Sequence, residues 1–326
     1  MLAVGMTTPG ALNPNPVRGA RTIVKNLRQA SGELRLTIAN IGFEVSWKGS
    51  KLAKEPAEKF YQGFLSNGQR GASVTSRVQV HCGDLPEVKP DPLIFDALEN
   101  HWRLFRLDGR HLFEIFDTKP PHPKVLLASV SPDFTSGDVY CRPWKRSARP
   151  SWLLTRLMRP FGELVLINLL SQGRGVLLHA LGVSDHGEGL LFIGPSGAGK
   201  STLANLYEPY QGVTILGDEH VVVTKVGEQF WLSGTPWPGT AFTVSADTVP
   251  LRKVFFLEHG TRNMLLSDQL TTLCGLFFQQ LFLPFWNGEA LKFGLKFGED
   301  LLSSLPAHRL AFVNDARVIE FLRPQS

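Results

Sequence analysis

Between residues 194 and 201 the chain reads Gly194-Pro195-Ser196-Gly197-Ala198-Gly199-Lys200-Ser201, which satisfies the spacing G-x-x-x-x-G-K-[ST] at every fixed position. Glycines in such a run let the backbone curl so that successive N–H groups converge on one point. The run follows a short apolar stretch, Leu190–Ile193, and leads into a segment with helical character, Lys200–Tyr207. A helix N-terminus adds partial positive charge where those N–H groups converge. The chemistry this predicts is the binding of a nucleoside polyphosphate. Lys200 has the reach for β- and γ-phosphates, the Ser201 hydroxyl can ligate Mg²⁺, and Thr202 lies in the same first turn.

A phosphate cradle binds; it does not choose a reaction. Phosphoryl transfer also needs a carboxylate on the metal side and a group that orients the acceptor. The next strand-like stretch, Val213–Leu216, runs into Gly217-Asp218-Glu219-His220. Two adjacent acids at a strand end beside the loop suit a metal and a general base; a solvated acidic turn is the alternative. His179 lies upstream in the apolar stretch Val176–Val183, where a lone histidine is more often structural than catalytic. His186 and His220 read as turn residues. Trp237, between Pro236 and Pro238, can stack on a base or a peptide, or simply stiffen its loop.

These groups need a scaffold. Val176–Val183 joins Leu190–Ile193 through the turn Asp185-His186-Gly187-Glu188-Gly189, too short for a helical crossover, so the two strands are expected to be antiparallel. The loop is therefore predicted to sit on a mixed sheet. Val221–Val226 and Gln229–Leu232 form a hairpin around Gly227, and Leu251–Glu258 is a buried core strand. Helices are expected over Trp152–Ser171, Thr271–Phe285 and Glu289–Ser304. A last hairpin is expected from His308–Val313 and Val318–Leu322 over Asn314-Asp315.

Upstream the texture is different. Leu34–Trp47 predicts two strands around an Asn-containing turn, His101–Leu107 and His111–Phe116 a hairpin over Asp108-Gly109, and Val78–His81 and Val125–Val130 further strands. The division expected is a loose arm over 1–30, a β-rich α+β unit over 31–150, and an α/β unit carrying the loop over 151–326.

Composition bounds the function. With 326 residues, 43% apolar and 19% charged, the chain is an ordinary globular sequence. No apolar run reaches the roughly 18–20 residues of a membrane helix. The 3 cysteines, Cys82, Cys141 and Cys274, are widely separated and form neither a disulfide framework nor a CxxC metal site, so a reducing, cytoplasmic location is expected. Residues 1–160 hold 23 Lys and Arg against 14 Asp and Glu, whereas residues 161–326 hold 11 against 15. The basic half can meet an acidic partner, but no nucleic-acid-reading pattern accompanies it, and neither nucleic acid nor membrane is an expected partner.

The runs GVLLHALGV, LLFIGPSGAGKSTLA, VTILGDEHVVV, FWLSGTPWPG, VFFLEHG and HRLAFVNDARVIEFL together resemble the catalytic domain of HPr kinase/phosphorylase. They are similar also to small bacterial kinases found with peptide-modifying enzymes and, more distantly, to ATP-dependent phosphoenolpyruvate carboxykinase. The resemblance covers residues 160–323. It implies that Gly194 through Thr202 hold the phosphates of ATP with Mg²⁺, that Asp218 deprotonates an acceptor hydroxyl, and that Glu219 serves the metal. Glu219 stands where those kinases carry aspartate. The resemblance also places His179 near the transferred phosphate and makes Arg262 a phosphate contact. The implied activity is transfer of the γ-phosphoryl group to a Ser/Thr hydroxyl on a peptide or small protein, and homo-oligomers are common among such kinases. A nucleotide-binding regulator without phosphotransfer, or a kinase acting on a free serine-type metabolite, are the alternatives.

Overall fold

The computed structural model describes residues 32–47, 59–66, 73–89, 92–142, 154–155 and 157–323. The expected arm over 1–30 and the start of the helix expected from Trp152 lie outside the described residues. Among the described residues no helix is long and apolar enough to cross a membrane.

The first sheet comprises β1 (Gly32–Ile38), β2 (Ile41–Trp47), β3 (Val74–Cys82), β4 (Leu93–Ala97), β5 (Trp102–Leu107), β6 (Arg110–Phe116), β7 (Lys124–Val130) and β8 (Ser136–Cys141). Their spatial order is β1-β2-β3-β8-β7-β6-β5-β4. The β2–β3 and β3–β8 pairs are parallel and the rest antiparallel. Turn chemistry sets the hairpins: Ala39-Asn40 and Asp108-Gly109 both carry two consecutive positive φ angles. That is the mirror-image turn whose twist matches a two-residue hairpin.

The second sheet comprises β9 (Gly175–Asp185), β10 (Glu188–Ile193), β11 (Val213–Gly217), β12 (His220–Val226), β13 (Gln229–Gly234), β14 (Thr248–His259), β15 (Met264–Leu266), β16 (Leu281–Phe282) and β17 (Ala307–Phe312). β9 and β10 are antiparallel across His186-Gly187, again with two positive φ angles, while β10 runs parallel to β14. The mixed pairing expected around the loop is thus observed. Strands β9, β12, β13, β14 and β10 pair in a closed cycle. β9 also pairs with β11 and β16, so Leu177 and Leu178, and Gly182 through Asp185, have partners on both sides. Its near-continuous apolar sequence follows from burial on both faces.

The described fold also holds the α-helices α1 (Glu163–Leu170), α2 (Lys200–Tyr207), α3 (Leu270–Phe278), α4 (Gly288–Ser304) and α5 (Arg317–Leu322). The molecule is mixed α/β, with two mixed sheets, few helices and more of its described residues in strands than in helices. One buried cluster runs from Phe43 and Phe113 through Leu157 and Leu164 to Leu177, Val222 and Trp237, joining the inner face of the first sheet to β9 and β12.

Three expected elements differ. The helix expected over Trp152–Ser171 is interrupted before α1, where Arg159 takes an extended backbone ahead of Pro160; proline disfavours helical geometry in its predecessor. The helix expected over Thr271–Phe285 stops after α3, and Leu281–Phe282 pairs with β9 instead. The closing hairpin is absent: β17 is followed by α5, and Asp315 Oδ1 accepts from the Arg317 N–H at 2.9 Å. Cys82 and Cys141, distant in sequence, face each other on β3 and β8 with their sulfurs 3.0 Å apart.

Candidate functional site

The loop between β10 and α2 is built as its residue types require. Its tip, Pro195 to Gly197, is exposed. Gly197 and Gly199 have φ of +85° and +99°, the second capping α2. A Cβ on Gly199 would lie 2.6 Å from the Phe312 ring, so only glycine fits between the loop and β17. The Ala198 N–H donates to Pro195 O and the Leu203 N–H to Gly199 O. Among the described residues the N–H groups of Gly197, Gly199, Lys200 and Ser201 find no acceptor, which is the donor set an anion would use.

Lys200 is folded back onto this loop. Its side chain is buried, and Nζ donates to Gly194 O at 2.6 Å and to Pro195 O at 3.1 Å. Burial lowers its pKa, an effect opposed by the negative charges of Glu219 and Asp218. The acidic pair sits between β11 and β12, close enough to act on this ammonium. Asp218 is only 2% exposed. Its two carboxylate oxygens accept from the N–H groups of Gly239 and Ala241, each at 2.7 Å. The residue between those donors, Thr240, pairs hydroxyl to hydroxyl with Ser201 at 2.8 Å. A single turn, Gly239-Thr240-Ala241, therefore ties the Ser201 hydroxyl to the Asp218 carboxylate. Gly239 is required there, since a Cβ would stand 2.7 Å from Asp218 Oδ2.

Glu219 behaves differently from its neighbour. Its side chain is about one-third exposed and lies 3.8 Å from the Arg159 guanidinium. Its carbonyl accepts from the Ala180 N–H, fixing the acidic pair to β9. His179 stands opposite His220 in the β9–β12 register. Burial, then the positive charge of Lys200, then His220, push the His179 pKa down to about 4, with a hydrogen bond to Gln280 pulling the other way. His179 is therefore a neutral imidazole at pH 7, within electrostatic reach of Lys200.

The expected residues thus fall into two sets. Gly194 through Thr202, Asp218, Glu219 and His179 come together around Lys200. Arg262 is exposed three residues beyond His259, its guanidinium 3.6 Å from Met264 Sδ, and no contact between it and the loop is seen among the described residues. His220 is a correction, because it is a buried strand residue rather than a turn residue, with Nε2 3.1 Å from Glu163 Oε1 and its ring stacked on Phe282. Trp237 is 1% exposed and edge-on to His220, so it is a core residue. Sequence reading missed the 239–241 turn and His259, whose Nε2 lies 2.9 Å from Gly197 O. The first followed Trp237 within a loop already singled out, and the second lay in VFFLEHG.

Among the described residues no group of three or more His, Cys, Asp and Glu converges as a metal site. A magnesium ion does not need one, since it keeps several waters and takes one or two protein oxygens plus phosphate. The Ser201 hydroxyl and Asp218 carboxylate, tied to one turn, fit that requirement. No family model matches the chain, and no curated protein matches its sequence.

Proposed function

We propose that the chain is an ATP-dependent kinase that transfers a γ-phosphoryl group to a serine or threonine hydroxyl on a peptide or small protein. The observation that carries this reading is the Gly239-Thr240-Ala241 turn, which couples Ser201 at the start of α2 to the buried Asp218. A phosphate loop alone would support binding; a carboxylate locked beside it supports transfer.

Bound Mg²⁺–ATP would supply the phosphoryl group and neutralise charge on the β- and γ-oxygens. The chain's own contribution is positioning. The unengaged N–H groups of Gly197, Gly199, Lys200 and Ser201 hold phosphate oxygens. The Lys200 ammonium leaves the Gly194 and Pro195 carbonyls to meet the same oxygens. Asp218, clamped by two amides, retains lone pairs to accept the acceptor's hydroxyl proton as general base. His179 in its neutral form can hydrogen-bond near the transferred group without adding charge.

The test is ATP turnover of Lys200→Ala beside the parent. Turnover should fall about 10²–10³-fold, as for removal of one preorganised donor from a site of developing charge. Equal turnover would remove the loop from the mechanism.

The Arg159–Glu219 contact favours a second reading, because it gives the acid assigned to the metal a cationic partner of its own. In that reading the chain binds nucleotide as a regulator without transferring phosphate. Tight ATP binding with no turnover and no labelled acceptor would select it.

A further inference from the structure

Beside the candidate site lies a cavity of about 810 Å³, enclosed by the inner face of the first sheet, the segment before α1, and residues 282–286. Sites of roughly 300–1,000 Å³ take drug-sized ligands. Its lining combines two chemistries. Phe95, Trp102 and Trp286 form an aromatic cluster, with ring centroids 5.3–5.6 Å apart. Arg159 and Glu163, also in the lining, contact Glu219 and His220. Phe282 lines the cavity and stacks on His220 at 4.7 Å. Asp218, Glu219 and His220 are consecutive, so the groups that Arg159 and Glu163 contact are the two residues directly after the candidate base.

We propose that this cavity seats an apolar, aromatic-bearing stretch of the phosphoryl acceptor, with the acceptor hydroxyl directed past Arg159 and Glu163 toward Asp218. The proposal rests on the kinase reading above and names its substrate class. The lining is mostly apolar, its charged groups being Asp117, Arg142, Arg159 and Glu163, and phenyl or indole side chains gain both burial and ring–ring contact there. Free serine would leave most of the 810 Å³ unfilled.

The test uses the full chain and two peptides, Ac-Gly-Phe-Ser-Phe-Gly-amide and Ac-Gly-Asp-Ser-Asp-Gly-amide, with calorimetry reading peptide binding. A fluorescent N-methylanthraniloyl-ATP titration reads the nucleotide site separately. The Phe peptide should bind at least about tenfold more tightly than the Asp peptide, as expected when aromatic anchors fill a desolvated pocket. Two variants probe the wall. Phe285→Asp changes a side chain that lines the cavity and is 54% exposed, so folding does not depend on it. Trp286→Ala removes one ring of the cluster. Each should weaken the Phe peptide about tenfold or more and leave nucleotide affinity within about twofold. Equal binding of the two peptides, or variants that bind the Phe peptide like the parent, would overturn the cavity assignment while nucleotide binding stands. Intact peptide preference without nucleotide binding would instead overturn the kinase reading, and with it the occupant's role as acceptor.

Discussion

Asp218 holds its own surroundings together. Its carboxylate is the acceptor for the Gly239 and Ala241 N–H groups, so removing it leaves a turn without its fastening. Asp218→Ala should cost about 1.5–3 kcal/mol of unfolding free energy, the range for hydrogen bonds to a charged partner. Asp218→Asn, which keeps one carbonyl oxygen, should lose less. Urea midpoints of the two variants decide the matter, and unchanged midpoints in both would show that the turn gains nothing from the carboxylate. His179 makes a prediction in pH. The unfolded chain takes up a proton near pH 6.5 that the folded imidazole refuses until about pH 4. Acidification through that window therefore favours the unfolded chain. The melting temperature should fall from pH 6.5 to pH 4 more steeply in the parent than in His179→Gln; matching slopes would refute the assignment. At this scale the sequence was legible where a motif fixes type and spacing together, as from Gly194 to Ser201. It was not legible for Trp237 and His220, because burial and cross-strand neighbours decide whether a ring meets a ligand or the core.

Elements were legible where local turn chemistry and periodicity agree. The hairpins over Ala39-Asn40, Asp108-Gly109 and His186-Gly187, and the helix Lys200–Tyr207, stand where residue types put them. Strands β4 and β8 were missed: β4 exposes Leu93, and β8 begins with Ser136, Gly137 and Asp138, so neither advertises an apolar face. The C-terminal misreading has a specific cause. Asn314-Asp315 serves a helix start as readily as a turn, and Val318, Ile319 and Leu322 are buried together at helical spacing. Another helix start bears on the proposed acceptor cavity. The Asn287 side chain accepts from the N–H groups of Glu289 and Ala290 at the head of α4, directly after Phe285 and Trp286. Asn287→Ala should lower stability by about 1 kcal/mol. Denaturation beside the parent checks this; an unchanged midpoint would mean that the cap is idle.

Across the whole molecule, the two sheets share one buried cluster, and the segment around Arg159 and Glu163 lies between them. Sequence composition separates a basic first half from an acidic second half, yet it carries no trace of this shared interior, which arises only when distant apolar faces meet. The closed cycle of pairing around β9 and β10 has a further consequence. A strand with neighbours on both flanks cannot peel off alone, and the floor beneath the glycine loop belongs to such a strand pair. In heavy water, the amide protons of Leu177, Leu178 and Gly182 through Asp185 should be the last to be replaced by deuterium, released only with global opening. Early labelling there, at the pace of the exposed loop tip, would mean that the floor breathes on its own. If the floor holds, the exchange of carbonyl for phosphate proposed for Lys200 runs over ground that stays still.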